Sequence, residues 1–149
     1  MIYIILILCI IVLDQTAKYL ASVYLKPTPS QTAPLIKGVF HLTYAENRGA
    51  AFSILQNKRT LFIVVTVMFI IFAVYYLLRH RNENILVKIS LSMILSGAIG
   101  NLIDRMRFGY VVDFMDFRLI NFPIFNIADC GVVIGSILLG YYLIFIAEK

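Results

Sequence analysis

A chain of 149 residues that is 61% hydrophobic, with a mean hydropathy of +0.90, is not composed for water; it excludes an ordinary soluble domain and makes lipid the solvent. The formal charge of +5 comes without a basic stripe interleaved with aromatics, so it fits anionic lipid headgroups and argues against nucleic acid as a partner. Cys9 and Cys130 form no CxxC pair and are assigned to packing, and His41 and His80 have no ligand-spaced partner, so neither a metal nor another cofactor is expected.

Four apolar runs follow in chain order, about residues 2–25, 61–78, 85–103 and 130–147. Each is near the ~20 residues a helix needs to cross the hydrocarbon core. They predict one polytopic domain over residues 1–149, a membrane all-α fold of four transmembrane helices with a small β element. The first run lacks the basic leader of a signal peptide and continues through Asp14, Gln15 and Lys18, so it reads as a retained span. Tyr24, Tyr75, Tyr76, Tyr141 and Tyr142 near the span ends read as interfacial anchors.

With four spans, the loops at about 26–59 and 104–126 share one side of the membrane, while both termini and the link Arg79–Asn84 share the other. Arg79 and Arg81, with Lys88 just beyond, make that link the densest basic segment near span ends and favour the cytoplasm for it. The two larger loops are then extracytoplasmic. In the first, Gly38–Tyr44 reads as a short strand followed by a turn at Glu46–Gly49; in the second, Phe108–Phe117 is again rich in Val, Tyr and Phe and can pair with it.

The polar residues of the apolar segments fall at one end of the bundle. Asp14 and Lys18 are spaced i,i+4 and can pair, which lowers the cost of each charge in lipid. Asn101 and Arg105 lie one turn apart at the end of the third span, beside Asp104; Asn126 and Asp129 open the fourth. Any one of these could be a cap or an anchor, since an acid in a first helical turn is also favoured by the helix dipole. Capping does not explain why Asp14, Lys18, Asn47, Asn101, Arg105, Asp113, Asn126 and Asp129 all gather on one side, so a site is expected there. Two nearby carboxylates resist joint ionisation, so one keeps a proton while the other acts as base, which is what activating water against an amide requires. On spacing alone Asp116 rivals Asp113 as the second acid. A Ser-Lys hydrolase built on Lys18 and Ser22 is a weaker reading, because Lys18 already has Asp14.

Five segments in order resemble the motifs of the lipoprotein signal peptidase (signal peptidase II) family of bacterial membranes. They are Asp14–Lys18, Asn47–Ser53, Gly97–Arg105, Val111–Phe114 and Phe125–Asp129, and together they span almost the whole chain. The resemblance implies a four-helix membrane enzyme of the bacterial cytoplasmic membrane, with an extracytoplasmic β-cradle over the active site. It implies Asp113 and Asp129 as the catalytic dyad, Asn47, Gly49, Asn101, Arg105 and Asn126 as substrate-binding residues, and Asp14 and Lys18 as supports of site geometry. It further implies a monomer among membrane lipids that cuts diacylglyceryl-modified prolipoproteins just before the lipidated Cys. Alternatives are another intramembrane aspartyl protease of the GxGD type, whose motif Gly109–Asp113 does not spell, or a small membrane transporter, which would spread its charges along a route open to both faces.

Overall fold

Long uninterrupted apolar runs form helices because a backbone in lipid has no water to bond and satisfies itself within the segment. The structure, a computed structural model, describes residues 2–49 and 58–147. Among the described residues four helices are long and apolar enough to cross a bilayer: α1 (Ile2–Tyr24), α2 (Arg59–Arg79), α3 (Ile85–Arg107) and α4 (Ile127–Phe145). Their outer faces carry exposed Ile4, Leu8, Phe72, Ile137 and Ile144, as lipid contact demands. Cys9, expected to be packed, lies exposed on α1, while Cys130 is half-buried.

Two helix ends reach well past the apolar runs, α3 to Arg107 and α4 back to Ile127, both at polar residues. Helix α3 passes Ile103 by a turn and stops at Gly109, whose φ of +85° suits glycine, with the Phe108 N–H donating to the Asp104 carbonyl at 2.8 Å. Helix α4 starts at Ile127 rather than Cys130 because Asn126 caps it. The Asn126 side chain accepts from the Asp129 N–H at 2.9 Å, and the Asp129 side chain accepts from the Asn126 N–H at 3.3 Å, a reciprocal capping box. Both extensions carry site residues inside regular helix.

Helix α3 is the central element, touching α1, α2 and, most extensively, α4. Small residues make this possible: Ser90, Ser96, Gly97 and Gly100 on α3 face Ala128, Gly131 and Gly135 on α4. A Cβ at Gly97 would collide with the Ala128 carbonyl oxygen, and one at Gly135 would lie 2.7 Å from the Ser90 carbonyl oxygen. The serines bond back to their own helix, Ser90 to Leu86 and Ser92 to Lys88, each at 2.7 Å, so no hydroxyl is stranded in the apolar interior.

A three-stranded antiparallel sheet, β1 (Thr32–Ile36), β2 (Phe40–Asn47) and β3 (Val111–Phe117), in the order β1-β2-β3, lies over the end of α1. The pairing of the two loops was expected; β1 was not, because Pro34 weakens it as a strand, and Pro34 is tolerated at the sheet edge. Leu42 faces Met115 and Ala45 faces Asp113, with a bulge between. Val112, Phe114 and Tyr44 pack on Ala21 of α1 and on Leu25 just beyond it, which fixes the sheet to the bundle and sets where Asp113 stands.

Candidate active site

Asp113 enters from β3 and Asp129 from the first turn of α4, and both carboxylates are held by side-chain amides. Asp113 accepts from Asn126 Nδ2 at 2.6 Å and from Asn47 Nδ2 at 3.0 Å; Asp129 accepts from Asn101 Nδ2 at 2.8 Å. Asn126 is the common member. Its Oδ1 caps α4 at Asp129 while its Nδ2 donates to Asp113 and, at 3.2 Å, to Asn101 Oδ1. One fully buried side chain thus both caps α4 and bonds the Asp113 carboxylate.

Behind the acids lies a buried ion cluster. Lys18 Nζ meets Asp14 at 2.9 Å, Asp104 at 3.0 Å and Asn101 Oδ1 at 2.9 Å, with both acids and the lysine almost wholly buried. The expected i,i+4 pair is present, and it has a third charged partner in Asp104. Gln15 Nε2 joins the cluster by donating to Asp104 Oδ1 at 3.0 Å. Among the described residues no buried side-chain nitrogen or oxygen is left without a hydrogen-bond partner.

Burial, and after it the Asp129 carboxylate, pushes the Asp113 carboxyl up to about 7, against the Asn47 and Asn126 amides and the Lys18 ammonium. Asp116 behaves oppositely. Its burial works upward, but hydrogen bonds from Thr43 at 2.7 Å and from Arg118 at 2.7 Å hold it below the usual carboxylate range. Three positions along a strand of period two place Asp116 on the face opposite Asp113, away from Asp129. The two acids that spacing left as rivals therefore stand on different faces of the sheet.

Residues 6–145 match the family described as Signal peptidase (SPase) II. The chain belongs to the signal peptidase II family. Lipoprotein signal peptidases of Caldanaerobacter subterraneus subsp. tengcongensis and Halothermothrix orenii are 54% and 52% identical to it over 143 residues, covering 95% and 96% of this chain and 95% and 94% of theirs. The lipoprotein signal peptidase of Clostridioides difficile is 46% identical over 149 residues, covering 100% of this chain and 99% of its own. A bacterial membrane enzyme solved by the in meso method at 2.3 Å superposes with a TM-score of 0.86 at 33% identity, covering 99% of this chain and 92% of that one. This signal peptidase II is thus a peptidase of the aspartic type with four apolar helices, a multi-pass membrane protein rather than the transporter kept as an alternative.

Within the signal peptidase II site, the remaining motif residues serve the loop after β2. Arg105 donates from Nη2 to the Gly49 carbonyl at 2.9 Å and stacks 4.8 Å over the Phe62 ring, while the Gly49 N–H donates to Asn47 Oδ1 at 2.9 Å. Asn47 therefore connects that loop to Asp113 directly. The rest of the second motif, residues 50–53, lies outside the described residues. Sequence reasoning noted Gln15 and Asp104 but gave neither a role in the site. The signal for Asp104 was present: it lies three residues from Asn101, hence on the same helix face, in a segment where any charge needs a partner.

Proposed function

We propose that Asp113 and Asp129 are the catalytic dyad of this signal peptidase II, and that it cleaves diacylglyceryl-modified prolipoproteins immediately before the lipidated Cys. The observation that carries the reading is that two acids from separate elements, β3 and α4, are tied to one asparagine, with Asp113 shifted to about 7 by burial and by Asp129. Such a pair titrates as a unit and holds one proton near neutrality. The ionised member takes a proton from water, whose oxygen attacks the scissile carbonyl carbon. The protonated member hydrogen-bonds the forming oxyanion; collapse then breaks the C–N bond and a dyad proton passes to the leaving amine of the Cys.

Asn126 orients the dyad, and Asn47, Gly49, Asn101 and Arg105 hold the substrate backbone around it. The planar fork of Arg105 serves the Gly49 carbonyl and a substrate carbonyl at once, which an ammonium does not reproduce. Arg105→Lys therefore lowers kcat/KM although the charge is kept. The lost charge-assisted bond is worth roughly 1.5–3 kcal/mol, about ten- to over a hundredfold. An Arg105→Lys enzyme with parental kcat/KM would leave Arg105 only a helix anchor.

The apolar helix faces hold the acyl chains in lipid while the polar end presents the amide. We place that end, with the sheet, on the extracytoplasmic side, because Arg79, Arg81 and Lys88 crowd the opposite one. In a background lacking Cys9 and Cys130, an impermeant thiol reagent labels Lys37→Cys from outside and Asn82→Cys only after the cells are opened; the reverse pattern overturns the orientation. The reading as a whole is tested by incubating the purified protein with a diacylglyceryl-modified lipobox peptide and mapping the cut by mass. Cleavage before the modified Cys is expected, and a peptide left intact, or cut elsewhere, contradicts it.

The rate also reports the proton. Since a raised carboxyl pKa keeps the neutral acid to higher pH, kcat/KM holds through neutrality and falls as pH rises beyond about 7, where Asp113 would lose its proton. A rate that keeps climbing to pH 9 or so excludes a neutral carboxyl from the mechanism.

A further inference from the structure

The Asp14–Lys18–Asp104 cluster touches neither dyad carboxylate by hydrogen bond, yet each of its acids reaches the backbone beside one of them. Asp14 Oδ1 accepts from the Ala128 N–H at 2.8 Å, and Asp104 Oδ2 accepts from the Val112 N–H at 3.0 Å. Ala128 and Val112 are the residues immediately before Asp129 and Asp113. The two acids are in turn gripped by one ammonium, at 2.9 and 3.0 Å, and braced by Gln15, which donates to Asp104 at 3.0 Å and to Asp14 at 3.3 Å. The remaining contact of Lys18, to Asn101 Oδ1, turns the Asn101 amide so that its Nδ2 meets Asp129.

We propose that Asp14, Lys18 and Asp104 form a positioning triad in which a single ammonium, through two carboxylates and two backbone N–H groups, sets the separation of Asp113 and Asp129. This rests on the dyad reading above. Gly100 leaves the room it needs, since a Cβ there would lie 2.8 Å from Asp14 Oδ2. β3 and the start of α4 are joined directly by a bridge at Met115 and Phe125 and by the Asn126 cap, which donates to Asp113 and to the Val112 carbonyl; the triad adds a second link, through the backbone N–H beside each acid. The triad also bears on the proton held by the dyad. The charged groups facing it are Asp14 and Lys18 from α1 and Asp104 and Arg105 from α3, and Lys18 opposes the upward push on Asp113.

The test is steady-state cleavage of the diacylglyceryl-modified lipobox peptide by the purified full chain across pH. Asp104→Asn and Asp14→Asn keep the size and one acceptor oxygen but loosen the grip on Val112 or Ala128. Each lowers kcat by roughly ten- to a hundredfold with KM within about twofold, and moves the alkaline limb of the profile to lower pH, because one negative charge facing the dyad is gone. The double variant Lys18→Met with Asp104→Asn restores the net charge, so its limb returns toward the parental pH while kcat stays low. Parental kcat in both single variants overturns the triad, and so does a loss that follows only the folded fraction while the limb stays put. Asp113→Asn in the same preparation separates the two readings: if it cleaves, the dyad has failed; if it is inert and the triad variants are parental, only the positioning role has.

Discussion

Asp113→Asn and Asp129→Asn each abolish cleavage of the lipopeptide, while Asp116→Asn cleaves at close to the parental rate. Asparagine keeps the shape of the acid and can still accept a hydrogen bond from its present partners, Asn47 or Asn126 at position 113 and Asn101 at position 129. What it cannot do is ionise, so neither variant alternates between base and neutral acid, and the loss reaches at least the roughly 10²–10⁴ that general acid–base catalysis supplies. The folded protein survives, since two carboxylates that repel one another become one. Asp116 is bonded to Thr43 and Arg118 on the other face of β3, and its variant is expected to leave the proton traffic unchanged. Thermal unfolding in detergent beside the cleavage assay checks both halves: an active Asp113 or Asp129 variant, or an inert but well-folded Asp116 variant, would redraw the site.

Gly97→Ala is the second large effect, expected in both stability and turnover. The new Cβ runs into the Ala128 carbonyl oxygen, a backbone atom that cannot swing aside. Helices α3 and α4 must part, and Ala128 moves with the turn that carries Asp129. Overpacking of this kind costs typically 1–3 kcal/mol, enough to lower Tm measurably. Gly140→Ala is the matched control: nothing lies within 4 Å of a Cβ there, and alanine is the better helix former by roughly 1 kcal/mol. If the two variants melt and cleave alike, close helix approach is not what places Asp129.

The chemistry of the solvent made the four helices legible, because lipid allows few alternatives to a run such as Leu61–Leu78. The Asp14–Lys18 pair was legible for the same reason, a charge in lipid needing a partner one turn away. Helix ends were harder. A hydropathy reading places Asn126 and Asp129 outside the span, whereas capping bonds between those two residues begin α4 at Ile127. Edge strand β1 was hidden by Pro34, whose cost depends on whether a neighbour needs its N–H. That Asp113 and Asp116 stand on opposite faces of β3 depends on the strand itself, and the bonds from Asp104 to Val112 and from Asp14 to Ala128 join residues 8 and 114 positions apart; local pattern has no access to either.

The spacing of Asp14 and Lys18 within one helix also bears on what α1 asks of the bilayer. A nascent α1 carries its acid and base one turn apart and enters the bilayer as a neutral pair, needing no other helix. The bond that Asp104 makes to Lys18 has no such arrangement, since it joins two helices. Moving Lys18 to α3 and an acid to α1 would leave the same charges in the finished bundle, yet each helix would meet the lipid alone and charged. The charges of α1 are thus matched within one helix, whereas Asp104 finds Lys18 only where α3 packs against α1.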